Sequence, residues 1–127
     1  MAGAPEAGAI LVVEDDPTTR ELFALALSDA GYPVLTAATG AAALATARAA
    51  RPRLILLNVR LPGLDGVAVC RRLRADPGTR GIPVVFVTAD TGEVARGRLA
   101  RCAHAGLLAK PFRLDDLLAA VRRAAAP

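Results

Sequence analysis

Acidic, amide, hydroxyl and amino side chains stand at the ends of four apolar runs in this chain. "AILVV" at 9–13 runs into Glu14, Asp15 and Asp16, and "LILLN" at 54–58 ends on Asn58. "IPVVFVT" at 82–88 ends on Thr88 and is followed by Ala89, while "GLLAK" at 106–110 ends on Lys110, with Pro111 next. In an open parallel α/β sheet, functional groups gather just beyond the carboxyl ends of the strands. Adjacent carboxylates there create a local excess of negative charge, sustained either by solvation or by a hard cation. Mg²⁺ characteristically takes one or two carboxylates and keeps several waters. Glu14 and Asp15 are therefore candidate magnesium ligands, and Asp16 is explained as the cap of the following helix. Read by itself, the acidic triplet fits a solvated, helix-capping loop equally well.

For these side chains to converge, the runs must be strands of one sheet. The first, third and fourth are almost continuously apolar, as central strands covered by helices on both faces require. "PVLTA" at 33–37 and the run at 106–110 are shorter and milder, and belong toward the edges. Helical segments alternate with them. "DDPTTRELFALALSDAG" has a capping Asp, Pro17 in the first turn, apolar Leu22, Phe23, Leu25, Ala26 and Leu27, and Gly31 as a stop. "GAAALATARAARP" is Ala-rich and ends at Pro52, and "GVAVCRRLRADPG" places Val67, Val69, Cys70 and Leu73 among Arg residues before a Pro-Gly break. "GEVARGRLARCAHAG" is the weakest helix, because Gly97 in its interior costs about 1 kcal/mol against Ala. "RLDDLLAAVRRAAA" carries Asp115 and Asp116 early and Arg122 and Arg123 late, which complements the helix dipole. This alternation predicts an α/β fold with a parallel sheet.

Composition narrows the function classes. The 127 residues suit one domain, expected over 9–127 after a disordered lead-in at 1–8. Hydrophobic residues make up 54%, much of it Ala, and no apolar run approaches the roughly 18 residues of a membrane span. "MAGAPEAGA" lacks the positive start and apolar stretch of a signal peptide, so the expected location is cytoplasmic and no membrane partner is expected. The net charge is +4, yet the 16 basic residues are dispersed and aromatics are only 3%, which argues against direct nucleic-acid binding. Cys70 and Cys102 are far apart and lack a CxxC spacing, so both are expected as small buried thiols, with neither a disulfide nor a zinc site. His104 is expected at a solvent-facing helix end.

"ILVVEDDPTTRELF", "LILLNVRLPGLDG", "IPVVFVTAD" and "LLAKPF", in this order and spacing, resemble the receiver domain of bacterial response regulators from Ala9 to Ala125. The resemblance implies a flavodoxin-like, doubly wound sheet of five parallel strands in the order 2-1-3-4-5, with five helices. It also implies a phosphorylation switch driven by a sensor histidine kinase. Carried over by residue, Glu14 and Asp15 take the places of the acidic pair that holds Mg²⁺, with the backbone carbonyl of Arg60 as a further ligand. Thr88 takes the place of the hydroxyl that binds the phosphoryl oxygen, Ala89 that of the small residue whose N–H assists, and Lys110 that of the cation that pairs with the phosphate. Pro111 resembles the family proline that often follows a cis peptide, and Gly63 and Gly66 fit the tight loop after the third strand. The fourth helix, fifth strand and fifth helix form the family's output face, where Arg96, Arg98 and Arg101 opposite Asp115 and Asp116 suit a symmetric homodimer.

Two positions depart from the pattern. Asn58 stands where the phosphoacceptor Asp belongs, and a neutral carboxamide is a far poorer nucleophile than a carboxylate. Leu107 stands where many receivers carry an inward-swinging aromatic. Together they predict a non-enzymatic signalling module that is not phosphorylated at the usual position, has weakened Mg²⁺ affinity, and acts by binding a histidine kinase or another signalling protein. An alternative is a phosphoaccepting receiver into which an Asp-to-Asn change at 58 has been introduced. A flavin or nucleotide binder on the same fold is a further alternative, opposed by the carboxylates of "EDDPTT" and by the absence of a G-x-x-x-x-G-K-[ST] loop.

Overall fold

The structure, a computed structural model, describes residues 8–90, 92–102 and 106–125. β1 (Ile10–Val13), β3 (Leu54–Asn58) and β4 (Val84–Thr88) are buried at every position, as apolar strands covered on both faces must be. β2 (Val34–Ala37) and β5 (Gly106–Ala109) are partly exposed and take the edges. The sheet runs β2-β1-β3-β4-β5 with every pairing parallel, the flavodoxin-like order. In this register the carboxyl ends of β1, β3, β4 and β5 lie side by side, which brings their polar termini together.

Period-two alternation divides the strand side chains between two layers. Leu11, Val13, Ile55, Leu57, Val84 and Phe86 pack toward α2 (Gly40–Ala50), α3 (Gly66–Ala75) and α4 (Glu93–Ala100). Ile10, Val12, Leu54, Leu56, Val85 and Val87 pack toward α1 (Pro17–Asp29) and α5 (Leu114–Ala125). Side-chain caps start three of the helices: Asp16 accepts from the Thr19 N–H at 2.8 Å, Thr39 from Ala42 at 3.1 Å and Asp65 from Ala68 at 2.9 Å. α4 begins at Gly92 with no side-chain cap.

Two expectations need correction. Cys70 and Cys102 are not thiols but form a disulfide. The physical reason is that α3 and α4 cover the same sheet face, so a crossover brings residues 32 apart in sequence to a Cα separation of 6.5 Å, within reach of a bond. Local spacing rules do not detect such a pairing. α4 ends at Ala100, and Arg101 and Cys102 leave the helical segment expected through residue 106, of which 103–105 lie outside the described residues. In α1 the apolar run is wider than the buried stripe: Phe23 and Leu27 are buried, whereas Leu22 and Leu25 are 49% and 61% exposed.

Candidate functional site

The polar strand ends surround a cavity of about 920 Å³. On its β1 side Glu14 is buried and Asp15 and Asp16 are exposed. Asp16 also accepts from the Thr19 hydroxyl at 2.6 Å, fixing the start of α1. Arg20, one turn along α1, reaches back and donates to the carbonyls of Glu14 at 2.9 Å and Asp15 at 3.4 Å. The acidic loop is thus held from outside by a cation that touches its backbone, not its carboxylates.

Asn58 ends β3 and is 7% exposed. Its Nδ2 donates to Glu14 Oε2 at 3.1 Å and to the Arg60 carbonyl at 3.0 Å. Glu14 Oε2 also accepts from the Asp16 N–H at 3.1 Å, so one carboxylate oxygen ties β1, β3 and the first loop together. Glu14 Oε1 has no hydrogen-bond partner, and the nearest cation, Lys110 Nζ, stands 3.7 Å away. Burial is the main cause that lifts the Glu14 carboxyl above its ordinary pKa; the Asp16 N–H and Lys110 oppose it, and the Asp15 carboxyl adds to it.

The loop after β3 is shaped by glycines. Gly63 has φ +72°, a left-handed conformation that side chains disfavour. A Cβ on Gly66 would meet the backbone carbonyl of Asn58 at 2.4 Å, so only glycine lets α3 start against the end of β3. The Gly66 N–H closes the loop on the Val59 carbonyl at 2.9 Å.

On the β4 side Thr88 is buried, and its hydroxyl accepts from the Asp90 N–H at 3.0 Å, which engages it with the following loop. Ala89 is exposed and lines the cavity with Lys110. The Lys110–Pro111 peptide is cis, as the resemblance implied. Leu107, on β5 beside Phe86, is 37% exposed. Every predicted site residue except Leu107 and Pro111 lines the cavity. His104 lies outside the described residues.

A magnesium ion requires oxygen donors. Here a donor nitrogen sits between Glu14 Oε2 and the Arg60 carbonyl and uses the lone pairs that would face a cation. Among the described residues no group of three or more His, Cys, Asp or Glu side chains forms a cation cage. The amide would have to turn for its oxygen to join Glu14, Asp15 and the Arg60 carbonyl around an ion, and Glu14 Oε1 is left without a hydrogen-bond partner. An anionic flavin phosphate is opposed as well, because Glu14, Asp15 and Asp16 line the same cavity.

Sequence reasoning missed three contributors. Arg20 reads as an ordinary exposed helical residue, although its place one turn past a strand-end loop is a signal. Asp65 caps α3 and also pairs with Arg98 of α4 at 3.1 Å, and both residues line the cavity. Arg98 was expected on a solvated or dimer-forming face. Nothing local announces its partner, 33 residues away in sequence.

Residues 10–122 match the response regulator receiver domain family. The DNA-binding response regulator MtrA of Mycolicibacterium smegmatis is 40% identical over 115 residues, covering 89% of this chain and 48% of MtrA. Response regulator PleD of Caulobacter vibrioides is 42% identical over 109 residues, 86% of this chain and 24% of PleD. The chain thus spans about half the length of MtrA and about a quarter of PleD. Among solved structures, chemotaxis protein CheY4 of Vibrio cholerae superposes with a TM-score of 0.87 at 30% identity, covering 93% of this chain and 98% of that one. The receiver domain of sensor histidine kinase PA1611 of Pseudomonas aeruginosa, with magnesium coordinated in its active-site cleft, gives a TM-score of 0.86 at 32% identity, covering 94% of this chain and 98% of that one.

Proposed function

The chain belongs to the response regulator receiver domain family of two-component signalling, and from that premise we propose a receiver that is not phosphorylated at its usual position and acts by protein–protein contact. The observation that carries this reading is the Asn58 carboxamide at the end of β3, with its nitrogen bonded to Glu14 and to the Arg60 carbonyl. A carboxamide presents no carboxylate nucleophile for acyl-phosphate formation. The two hydrogen bonds give the polar cluster internal partners without a cation, which supports low magnesium affinity at Glu14, Asp15 and the Arg60 carbonyl. Lys110 faces Glu14 and has a counter-charge without a phosphoryl group. On this reading Thr88, Ala89 and Pro111 take the places that the resemblance assigns them beside it.

In this reading the domain is a cytoplasmic signalling module, not an enzyme. Its partners are a sensor histidine kinase or another signalling protein, met without phosphoryl transfer to residue 58. A homodimer through α4, β5 and α5 would use the exposed Arg96 and Arg101 opposite Asp115 and Asp116. Arg98 also pairs with Asp65 within the chain, through side chains that are 52% and 37% exposed.

The test is intact mass after incubation with acetyl phosphate and Mg²⁺, run in parallel on this protein and its Asn58→Asp variant. The variant is expected to gain one phosphoryl group while the Asn58 protein gains none. Uptake by the Asn58 protein overturns the reading.

A further inference from the structure

α4 forms a wall of the site cavity through Ala95, Arg98 and Leu99. Leu99 is the only buried one among the helix's described side chains. The helix starts at Gly92 without a side-chain cap and carries Gly97 in its interior, where glycine is unfavourable. Two described side-chain cross-links join it to α3. One is the Arg98–Asp65 pair, whose side chains are 52% and 37% exposed, a setting in which ion pairs hold weakly. The second is the Cys70–Cys102 disulfide, which joins the second turn of α3 to the residue just past the α4 cap.

We propose that the Cys70–Cys102 pair is a thiol–disulfide switch that sets how firmly α4 closes the cavity. In the oxidised form the bond pins the end of α4 to α3, and Asp65, at the head of α3, keeps its hold on Arg98. A dithiol reductant, or two molecules of a small thiol such as glutathione, attacks as thiolate. The Cys70–Cys102 bond breaks, the reductant becomes a disulfide, and its two electrons, with two protons, leave both cysteines as thiols. Of these described attachments α4 then keeps the burial of Leu99 and one exposed ion pair, and the wall loosens. Cys102 is 3% exposed and Cys70 fully buried, so attack falls on Cys102 during local opening of the short helix. That the bond acts as a switch and not as a permanent staple rests on the cytoplasmic location proposed above, where protein disulfides are mostly transient, catalytic or redox-sensing. The inference is independent of whether Asn58 accepts a phosphoryl group.

The test uses the unmodified chain, equilibrated folded in glutathione buffers from oxidised to reduced, quenched in acid, then denatured and alkylated for intact mass. Amide hydrogen exchange is followed on the same samples. The oxidised protein is expected to take no alkyl group and the reduced protein two, with the change falling within the glutathione range. Exchange of the α4 amides is expected to rise at least tenfold on reduction, with β1 and β3 unchanged. Cys102→Ser should exchange like the reduced form in every buffer. Two alkyl groups in the oxidised sample, resistance to glutathione, or equal α4 exchange in both forms each overturns the proposal. Phosphoryl uptake adds a different mass, so failure of either reading is seen separately from failure of the other.

Discussion

On the β1–β3 side of the cavity, Glu14 and Asn58 end strands buried at every position, and their polar atoms are bonded to one another and to the adjoining loops. On the α4 side, the cavity wall is one short helix with a single described buried side chain, attached by a disulfide and an exposed ion pair. The first region owes its position to burial, which is spread over many side chains and changes only when the whole domain unfolds. The second has, among its described attachments, two discrete bonds, each of which responds to a chemical condition. A site built this way has a fixed floor and an adjustable wall.

The largest effect is expected from damage to the packing of the sheet itself. Phe86 lies in β4, fully buried in the layer that also receives Leu99 and the disulfide. Phe86→Ala is expected to cost about 3–5 kcal/mol of global stability through lost transfer energy and the cavity left behind. Urea denaturation should show the midpoint falling with little change in slope, and exchange should rise throughout the sheet. A loss below about 1 kcal/mol would mean that the layer rearranges freely, against the behaviour of a close-packed interior.

The floor was far more legible in the sequence than the wall, for the same physical reason. An apolar run that ends on Asn58 or Thr88 is a local pattern, and burial of a central strand follows from it directly. The edge places of β2 and β5 followed from their milder composition. The departure proposed at Asn58 is legible because the resemblance implies a carboxylate's task at a position that holds a carboxamide. The wall depends on encounters across a crossover. Cys70 with Cys102 and Asp65 with Arg98 are each more than 30 residues apart, and each residue alone reads as an ordinary buried thiol or solvated charge. Leu22 and Leu25 show the limit of pattern reading within one helix, since an apolar residue does not reveal whether a neighbour covers it.

A second, intermediate perturbation tests the internal bonds of the floor. Asn58→Asp removes the donor that joins Glu14 to the Arg60 carbonyl and places a second carboxylate beside a buried one. Without divalent ions the variant is expected to lose about 1–3 kcal/mol, the typical cost of leaving buried polar groups unpaired. Added Mg²⁺ should restore part of that loss in the variant, by linkage to a binding-competent native state, and leave the Asn58 protein unchanged. Thermal melts with EDTA and with millimolar Mg²⁺ measure both. Equal melting of the two proteins in EDTA would show that the amide's hydrogen bonds contribute nothing net to the floor.

The smallest effect is expected at the wall's exposed bond. Arg98→Ala removes an ion pair whose partners are 52% and 37% exposed, so global stability should fall by less than about 1 kcal/mol. The local consequence should nevertheless be measurable, because Arg98 ties α4 to Asp65 at the head of α3. Its amides should exchange severalfold faster than in the unaltered protein, while those of β1 and β3 stay as they were. High salt should move the unaltered protein in the same direction, since an exposed pair is screened, and should have little further effect on the variant. Asp65 keeps its cap on Ala68 after the change, so α3 should not fray. If Arg98→Ala lowered the urea midpoint as far as Phe86→Ala, floor and wall would be one cooperative unit. A fixed floor with a separately adjustable wall requires that the two responses differ in size and in where the exchange appears.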